Sequence, residues 1–300
     1  MAALFLSQLA CWTGAALFIP TIPLFLRHLG ATDVEIGIYS AIVAVSLTLG
    51  PVAIGWLSDR FHIRDRLVVL CSGLQVPIAY AMGRTDDLWI VCVLNVGLWT
   101  FGASTVNLCR AIVALNFSPG HRNRAFAWLA VSSPAAFVIG GLASGRIVEA
   151  YGFTGLFTVM AVCWAISTGV SFFIKDRFTP DETRSSAGDL AISRPLIVFC
   201  AAMSLQAIAF QWSEIAVPLR LDDLAYSLPF ITSMYSVTSL VSIPFTVLAG
   251  RYATRVGNLN LLVGGMIVFG LCRFGLSVWE TEFSIVTIQV VAGVPAAFGH

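Results

Sequence analysis

The sequence predicts an all-α polytopic membrane protein. A six-helix N-terminal bundle spans residues 1–174, a cytoplasmic linker spans 175–194, and a partial, four-helix C-terminal bundle spans 195–300. Composition, the spacing of charges and an internal repeat predict it. Apolar residues make up 58% of the chain and charged residues only 11%, with a mean hydropathy of +0.87. A soluble domain carries about 25% charged and about 45–50% apolar residues. The surplus exceeds what a single water-facing core can bury, so a bilayer is the expected solvent. A net charge of +1 argues against nucleic acid as a partner.

Charges punctuate ten charge-free stretches: 2–26, 36–58, 67–83, 88–109, 125–145, 150–174, 195–213, 224–250, 256–272 and 283–299. Crossing the hydrocarbon core as a helix takes about 20 residues. Strands of a membrane barrel would be about half as long and would alternate. The first stretch is read as a span rather than a signal peptide, because it lacks a basic start and its apolar run is too long. With the N-terminus inside, the inner loops hold eleven basic residues: Arg60, Arg64, Arg66, Arg122, Arg124, Lys175, Arg177, Arg184, Arg194, Arg251 and Arg255. The outer loops hold four: Arg27, Arg84, Arg146 and Arg220. That asymmetry predicts a plasma (inner) membrane protein with its N-terminus and central loop in the cytoplasm. The 7 cysteines are scattered with no Cys-x-x-Cys pair, so neither a zinc knuckle nor a redox dithiol is expected. No metal or cofactor is expected either.

Shifting the chain by 195 residues overlays Pro23 on Pro218, Leu26 on Leu221, Ile36 on Ile231, Val52 on Val247, Gly55 on Gly250 and Arg60 on Arg255. Span positions and inner loops agree with the same shift. This is the pattern of two parallel halves related by an axis along the membrane normal. A complete second half would end near residue 370 by that offset, so the chain is expected to be truncated after its tenth span.

Between the second and third stretches lies the string Gly55-Trp56-Leu57-Ser58-Asp59-Arg60-Phe61-His62-Ile63-Arg64-Asp65-Arg66. A glycine there suits close helix approach. A carboxylate at a helix end among arginines can hold one conformation shut. The string resembles the signature Gly-x-Leu-Ala/Ser-Asp-Arg-x-Gly-Arg-Lys/Arg of the major facilitator superfamily. Gly55, Leu57, Ser58, Asp59, Arg60 and Arg64 match it, His62 replaces the second glycine and Ile63 the next basic residue. Gly250, Arg255 and Gly257 form a faded copy, with Thr254 in place of the acid. The resemblance implies the major facilitator fold: two six-helix bundles, a central cavity and alternating access, with the signature loop as a conformational latch. The antiporter pattern of the fifth helix is absent. Gly141 and Gly145 are expected to serve helix packing.

In such an architecture the substrate sits near the midplane between the halves. Candidate cavity residues are Gln8 and Trp12, Asn95 and Trp99, each pair one helical turn apart, with Gln206 and Gln211 on the seventh span. Each also suits a helix–helix hydrogen bond. Glu214 is a candidate coupling or gating residue, with protons as the expected coupling ion. Arg110 is expected to face headgroups or the latch acids. Without a central ionisable residue in the first six spans, neutral or weakly amphipathic compounds fit best. The expected function is an ion-coupled secondary exporter of drug-like small molecules, acting as a monomer. Import of a sugar or similar solute is the alternative, and a non-transporting remnant or scaffold a further one. No paired intramembrane acids, His-Glu-x-x-His or phosphate-binding loop supports an enzyme or an ATP-driven pump.

Overall fold

The structure, a computed structural model, describes residues 1–176, 194–256 and 258–296. Among these there are ten helices and no strand: α1 (Ala2–Phe18), α2 (Ile22–His28), α3 (Asp33–Phe61), α4 (Arg64–Met82), α5 (Leu88–Asn116), α6 (Pro119–Ser171), α7 (Arg194–Asp223), α8 (Leu228–Val256), α9 (Asn258–Val278) and α10 (Glu282–Ala296). The first predicted stretch is one span bent by 41° between α1 and α2, where Pro23 sits at the start of α2. Proline is tolerated there because its missing N–H is one that a helix start leaves unpaired anyway. The fifth and sixth stretches run together in α6, which breaks only at Gly152 (φ 66°, ψ −177°). Glycine alone enters that region readily.

Helices α3, α5, α8 and the stretch of α6 from residue 125 are each long and apolar enough to cross a bilayer, and the bent pair α1–α2 adds a fifth. Large apolar side chains stand exposed along them, among them Val45, Val52, Val93, Ile166 and Leu240. Water would not tolerate that much open apolar surface, whereas acyl chains do. The interior packs by the rules of lipid, where small residues and hydroxyls bring helices together. Helix α1 lies against both arms of α6. A Cβ on Gly140 would strike Ala16, and one on Gly14 would strike the fully buried Trp164. Further along, the Ser7 hydroxyl lies 2.8 Å from that of Ser171, and the Ser167 hydroxyl donates to the Ser7 carbonyl at 3.0 Å.

The 195-residue repeat is realised in the backbone. Helices α3 and α8 both run 29 residues, and both ends are offset by the same 195. The turns before them match bond for bond. The Ala31 amide donates to the Leu26 carbonyl at 3.0 Å, and the Tyr226 amide to the Leu221 carbonyl at 3.1 Å. Inside each turn one residue is left-handed, Gly30 (φ 87°) in the first half and Ala225 (φ 62°) in the second. Both turns are Schellman caps, which satisfy the last carbonyls of a helix.

Gly55 departs from the expected close approach: a Cβ there would meet nothing within 4 Å. The tight contact of α3 lies nearer its middle, at Gly50, where a Cβ would come within 2.6 Å of Thr100 Cγ2 on α5. Two small positions on one helix look alike in sequence, and only the packing partner separates them. His62 caps α3 in the left-handed region (φ 54°, ψ 41°), at the place where the signature carries glycine. An L-residue there costs about 1–2 kcal/mol against glycine's freedom. His62→Gly is therefore expected to stabilise the chain by about 1 kcal/mol. Thermal unfolding in detergent checks this, and a lowered midpoint would contradict it.

Candidate functional site

A cavity of about 210 Å3 opens in the first half between α1, α3, α4, α5 and α6. Its apolar wall includes Trp12, Phe18, Trp99 and Trp164, and its polar groups come from Gln75, Asn107 and Arg110. Trp99, Gly102, Val106 and Arg110 succeed one another at helical spacing, so one face of α5 forms a whole side of the hollow. Of the cavity candidates read from sequence, Trp12 and Trp99 line it. Asn95 does not: it is fully buried, and its amide donates to the Tyr39 hydroxyl, tying α5 to α3. Gln8 is also buried and reaches the Cys109 thiol. Gln211 is half-buried on α7 and lines neither this cavity nor the next. Gln206 lies on α7 and Gly250 and Arg255 on α8, but their side-chain environments fall outside the described residues. Arg110, expected to face headgroups or the latch acids, is exposed and borders this cavity.

A smaller cavity, about 60 Å3, lies in the second half against α6. Glu214 of α7, Tyr235 of α8, Arg273 of α9 and Gln289 of α10 share it with Phe137 and Phe210. The Tyr235 hydroxyl donates to the Glu214 carbonyl at 3.3 Å. Glu214 Oε2 and Arg273 Nε are both buried without a hydrogen-bond partner, and no salt bridge joins the two side chains. Phe137 separates the two hollows. Its ring lies 6.3 Å from that of Trp12 on one side and stacks on Tyr235 at 6.5 Å on the other.

The halves meet closely toward the end of the bundle that carries Arg27. Gly145 of α6 packs on α8 so tightly that a Cβ would come within 2.5 Å of Pro229 Cα, and one on Gly141 would overlap the Ser236 hydroxyl. That hydroxyl donates to the Val138 carbonyl at 3.0 Å. At the rim, Arg27 donates to Asp222 at 3.0 Å, to Asp223 at 2.7 Å and to Asp33 at 3.0 Å. At the opposite end the signature string folds back on its own half. Arg64 bonds Asp59 at 2.7 Å and Asp176 at 3.2 Å, and Asn116 donates to Asp176 at 2.7 Å. Burial opposes the Arg64 charge, yet the hydrogen bonds from Asp59 and Asp176 outweigh it and hold its pKa above the ordinary arginine value. Leu57 packs against the apolar cluster that includes Leu67 and Val68, while Arg60 lies 5.6 Å above the exposed Trp56 ring.

The family model described as Major Facilitator Superfamily matches residues 4–300. The chain belongs to that superfamily. Similar proteins include the Multidrug resistance protein MdtG of Dickeya zeae, 23% identical over 97% of this chain and 75% of that protein, and that of Citrobacter koseri, 24% identical over 95% and 74%. Among solved structures, the nucleoside transporter NupG superposes with a TM-score of 0.74 at 11% identity, covering 99% of this chain and 79% of NupG. A bacterial homologue of the human lysosomal transporter Spinster, in an inward-facing and occupied conformation, gives 0.76 at 11% identity, covering 99% and 71%. These likenesses establish the superfamily fold. As a superfamily member the chain is an integral membrane transporter of small molecules, not an enzyme.

Several site residues escaped the sequence reading, among them Gln75, Trp164, Tyr235, Arg273, Asp176 and Asn116. Asp176 had a usable signal, an acid between Lys175 and Arg177 just past the end of the sixth span. The side chains of Arg64 and Asp176 are both 8% exposed, whereas that of Asp59 is 69% exposed. An exposed pair contributes about 0–1 kcal/mol, while breaking a buried one costs about 3–5 kcal/mol. Asp176→Asn is thus expected to destabilise the superfamily transporter by about 3 kcal/mol, and Asp59→Asn by under about 1 kcal/mol. Unfolding midpoints of the two variants compare them, and equal losses would refute the ranking. At the other end, Arg27→Ala is expected to loosen the rim and shift the population of separated halves about fivefold. Spin labels at the exposed positions Thr32 and Ser227 would report it as a broader, longer distance distribution, and an unchanged one would count against the rim's role.

Proposed function

We propose that this protein is a secondary active exporter of drug-like, amphipathic compounds, working by alternating access as a monomer in the inner membrane. The carrying observation is the hollow faced by Trp12, Phe18, Trp99 and Trp164, an aromatic surface with few polar groups. Such a lining binds by area and stacking rather than by a fixed hydrogen-bond pattern, which suits chemically varied substrates. The names of the MdtG relatives point the same way.

The N-terminus and the 175–194 linker are cytoplasmic in this reading, supported by eleven inner against four outer basic residues. Arg27 then marks the outer rim, and the seam through Gly141 and Gly145 closes that side, so the conformation is inward-facing. Residues 1–174 and 195–300 rock about the hollow. Gly55, Leu57, Asp59, Arg60 and Arg64 form the inner latch, with Gly250 and Arg255 as its weaker copy. Asn95 acts as a bond between α5 and α3.

Glu214 is the proton site of this reading. An unpaired carboxylate within a span is expensive unless it takes up a proton or a partner. Its oxygen is buried next to Phe137, on the far side of which lies the aromatic hollow. Efflux of an amphipathic anionic or neutral dye from energised cells producing the chain tests the proposal against sugar counterflow in membrane vesicles. Dye efflux without sugar counterflow is expected, and the reverse would overturn export. Glu214→Gln should abolish efflux driven by a pH gradient while retaining dye exchange without one. Full gradient-driven efflux in that variant would remove the proton role.

A further inference from the structure

The aromatic hollow of the first half carries one charge, and it is positive. Arg110 lines it together with Gln75 and Asn107, and no Asp or Glu is among the lining residues. No ion pair or hydrogen bond joins the Arg110 guanidinium to any described residue. The indole N–H of Trp164, buried in the same wall, finds no acceptor beyond the neighbouring Cys11 thiol. Gln75 and Asn107 each donate to a backbone carbonyl of their own helix, which leaves the exposed Arg110 guanidinium as the hollow's one charged donor without a partner among the described residues.

The geometry points to organic anions as the substrate class of this hollow: compounds with a flat apolar body and one carboxylate or sulfonate, the body on the tryptophans and the acid on Arg110. The inference rests on reading the hollow as the substrate site and narrows that reading from amphipathic compounds in general. Trp99 and Arg110 lie on one face of α5, eleven residues apart, which is about 16 Å along the axis. A two- or three-ring body with a terminal acid bridges that distance. Guanidinium and carboxylate or sulfonate then form a charge-assisted hydrogen bond, strengthened by the apolar walls. The second-half cavity does not oppose an anion, because Glu214 shares it with Arg273.

The test uses the full chain in phosphatidylcholine nanodiscs and energy transfer from its tryptophans to two probes with the same ring body. One is 1-anilinonaphthalene-8-sulfonate, an anion, and the other is N-phenyl-1-naphthylamine, which lacks the sulfonate. Binding to empty discs is subtracted. The anion is expected to bind about tenfold more tightly than the amine, relative to their partition into empty discs. Arg110→Gln should erase that preference while leaving the amine's affinity unchanged, and Arg110→Lys should retain most of it. Equal affinities in the unsubstituted chain, or a preference that survives Arg110→Gln, would overturn the inference. Should Arg110→Gln fail to fold, the ratio in the unsubstituted chain decides alone. A preference that vanishes when phosphatidylglycerol replaces part of the lipid assigns Arg110 to headgroups and also overturns it. Binding of the amine alone sinks only this inference, whereas no binding of either probe sinks the export reading beneath it.

Discussion

Arg27 and Asp222 hold the two halves of the molecule at their shared axis, and much of the arrangement depends on that contact. They are equivalent positions of the repeat, 195 residues apart, each following the last apolar turn of its helix. In a two-fold arrangement equivalent positions near the axis face each other. Two copies of one charge would repel there, so a duplicated chain can close this end only if the copies diverge in sign. They have: arginine stands in the first half, aspartate in the second, and Asp223 and Asp33 complete the shell around the guanidinium. Each bond is partly solvent-exposed and individually weak. Their place at the rim, above the packed seam of α6 and α8, gives them leverage over whether the halves meet.

The glycines below the rim set how close that meeting is. Gly141 and Gly145 lie one turn apart on α6 and admit the backbone of α8 at Pro229 and Thr232. In lipid no hydrophobic force draws these helices together, because acyl chains are as apolar as leucine. What remains is close packing, plus the bonds that Ser236 makes to backbone carbonyls of α6. A seam of this kind is strong when closed and has little to lose to solvent when open, which suits an interface that must part and re-form.

The all-helical character of the chain, the 195-residue repeat and the packing role of Gly141 and Gly145 were legible in the amino-acid sequence, for physical reasons. Span length is fixed by bilayer thickness, and charges are excluded from it. A register of 195 residues is a property of order along the chain, and the Schellman turns at Gly30 and Ala225 obey it bond for bond. Which face a polar residue presents was not legible. In a soluble helix the apolar stripe points to the core, but in a membrane helix both faces are apolar, so periodicity does not separate lipid from interior. Asn95 therefore read like a cavity residue yet binds Tyr39, and Arg110 read like a headgroup anchor yet borders the hollow. Asp176 was missed for another reason: its partner Arg64 is 112 residues away in sequence, and only the folded bundle brings the end of α6 to the start of α4.

Phe137 joins the rim, the seam and the two hollows into one mechanical unit. It lies one helical turn before Gly141 on α6, so its backbone is fixed by the same contact that seats α8. Its ring touches Trp12 of the first-half hollow and Tyr235, which borders Glu214. Any motion that parts α6 from α8 must therefore pull Phe137 away from Tyr235, because the two rings hang from the two backbones that separate. Parting them removes the wall between the aromatic hollow and the Glu214 cavity. In the proposed mechanism the surroundings of the buried Glu214 Oε2 then change with whatever occupies the hollow. In the proposed export mechanism, coupling between a ligand among the tryptophans and the charge on Glu214 needs no longer path than this one ring, and it would act in both directions, because linkage between two sites is reciprocal.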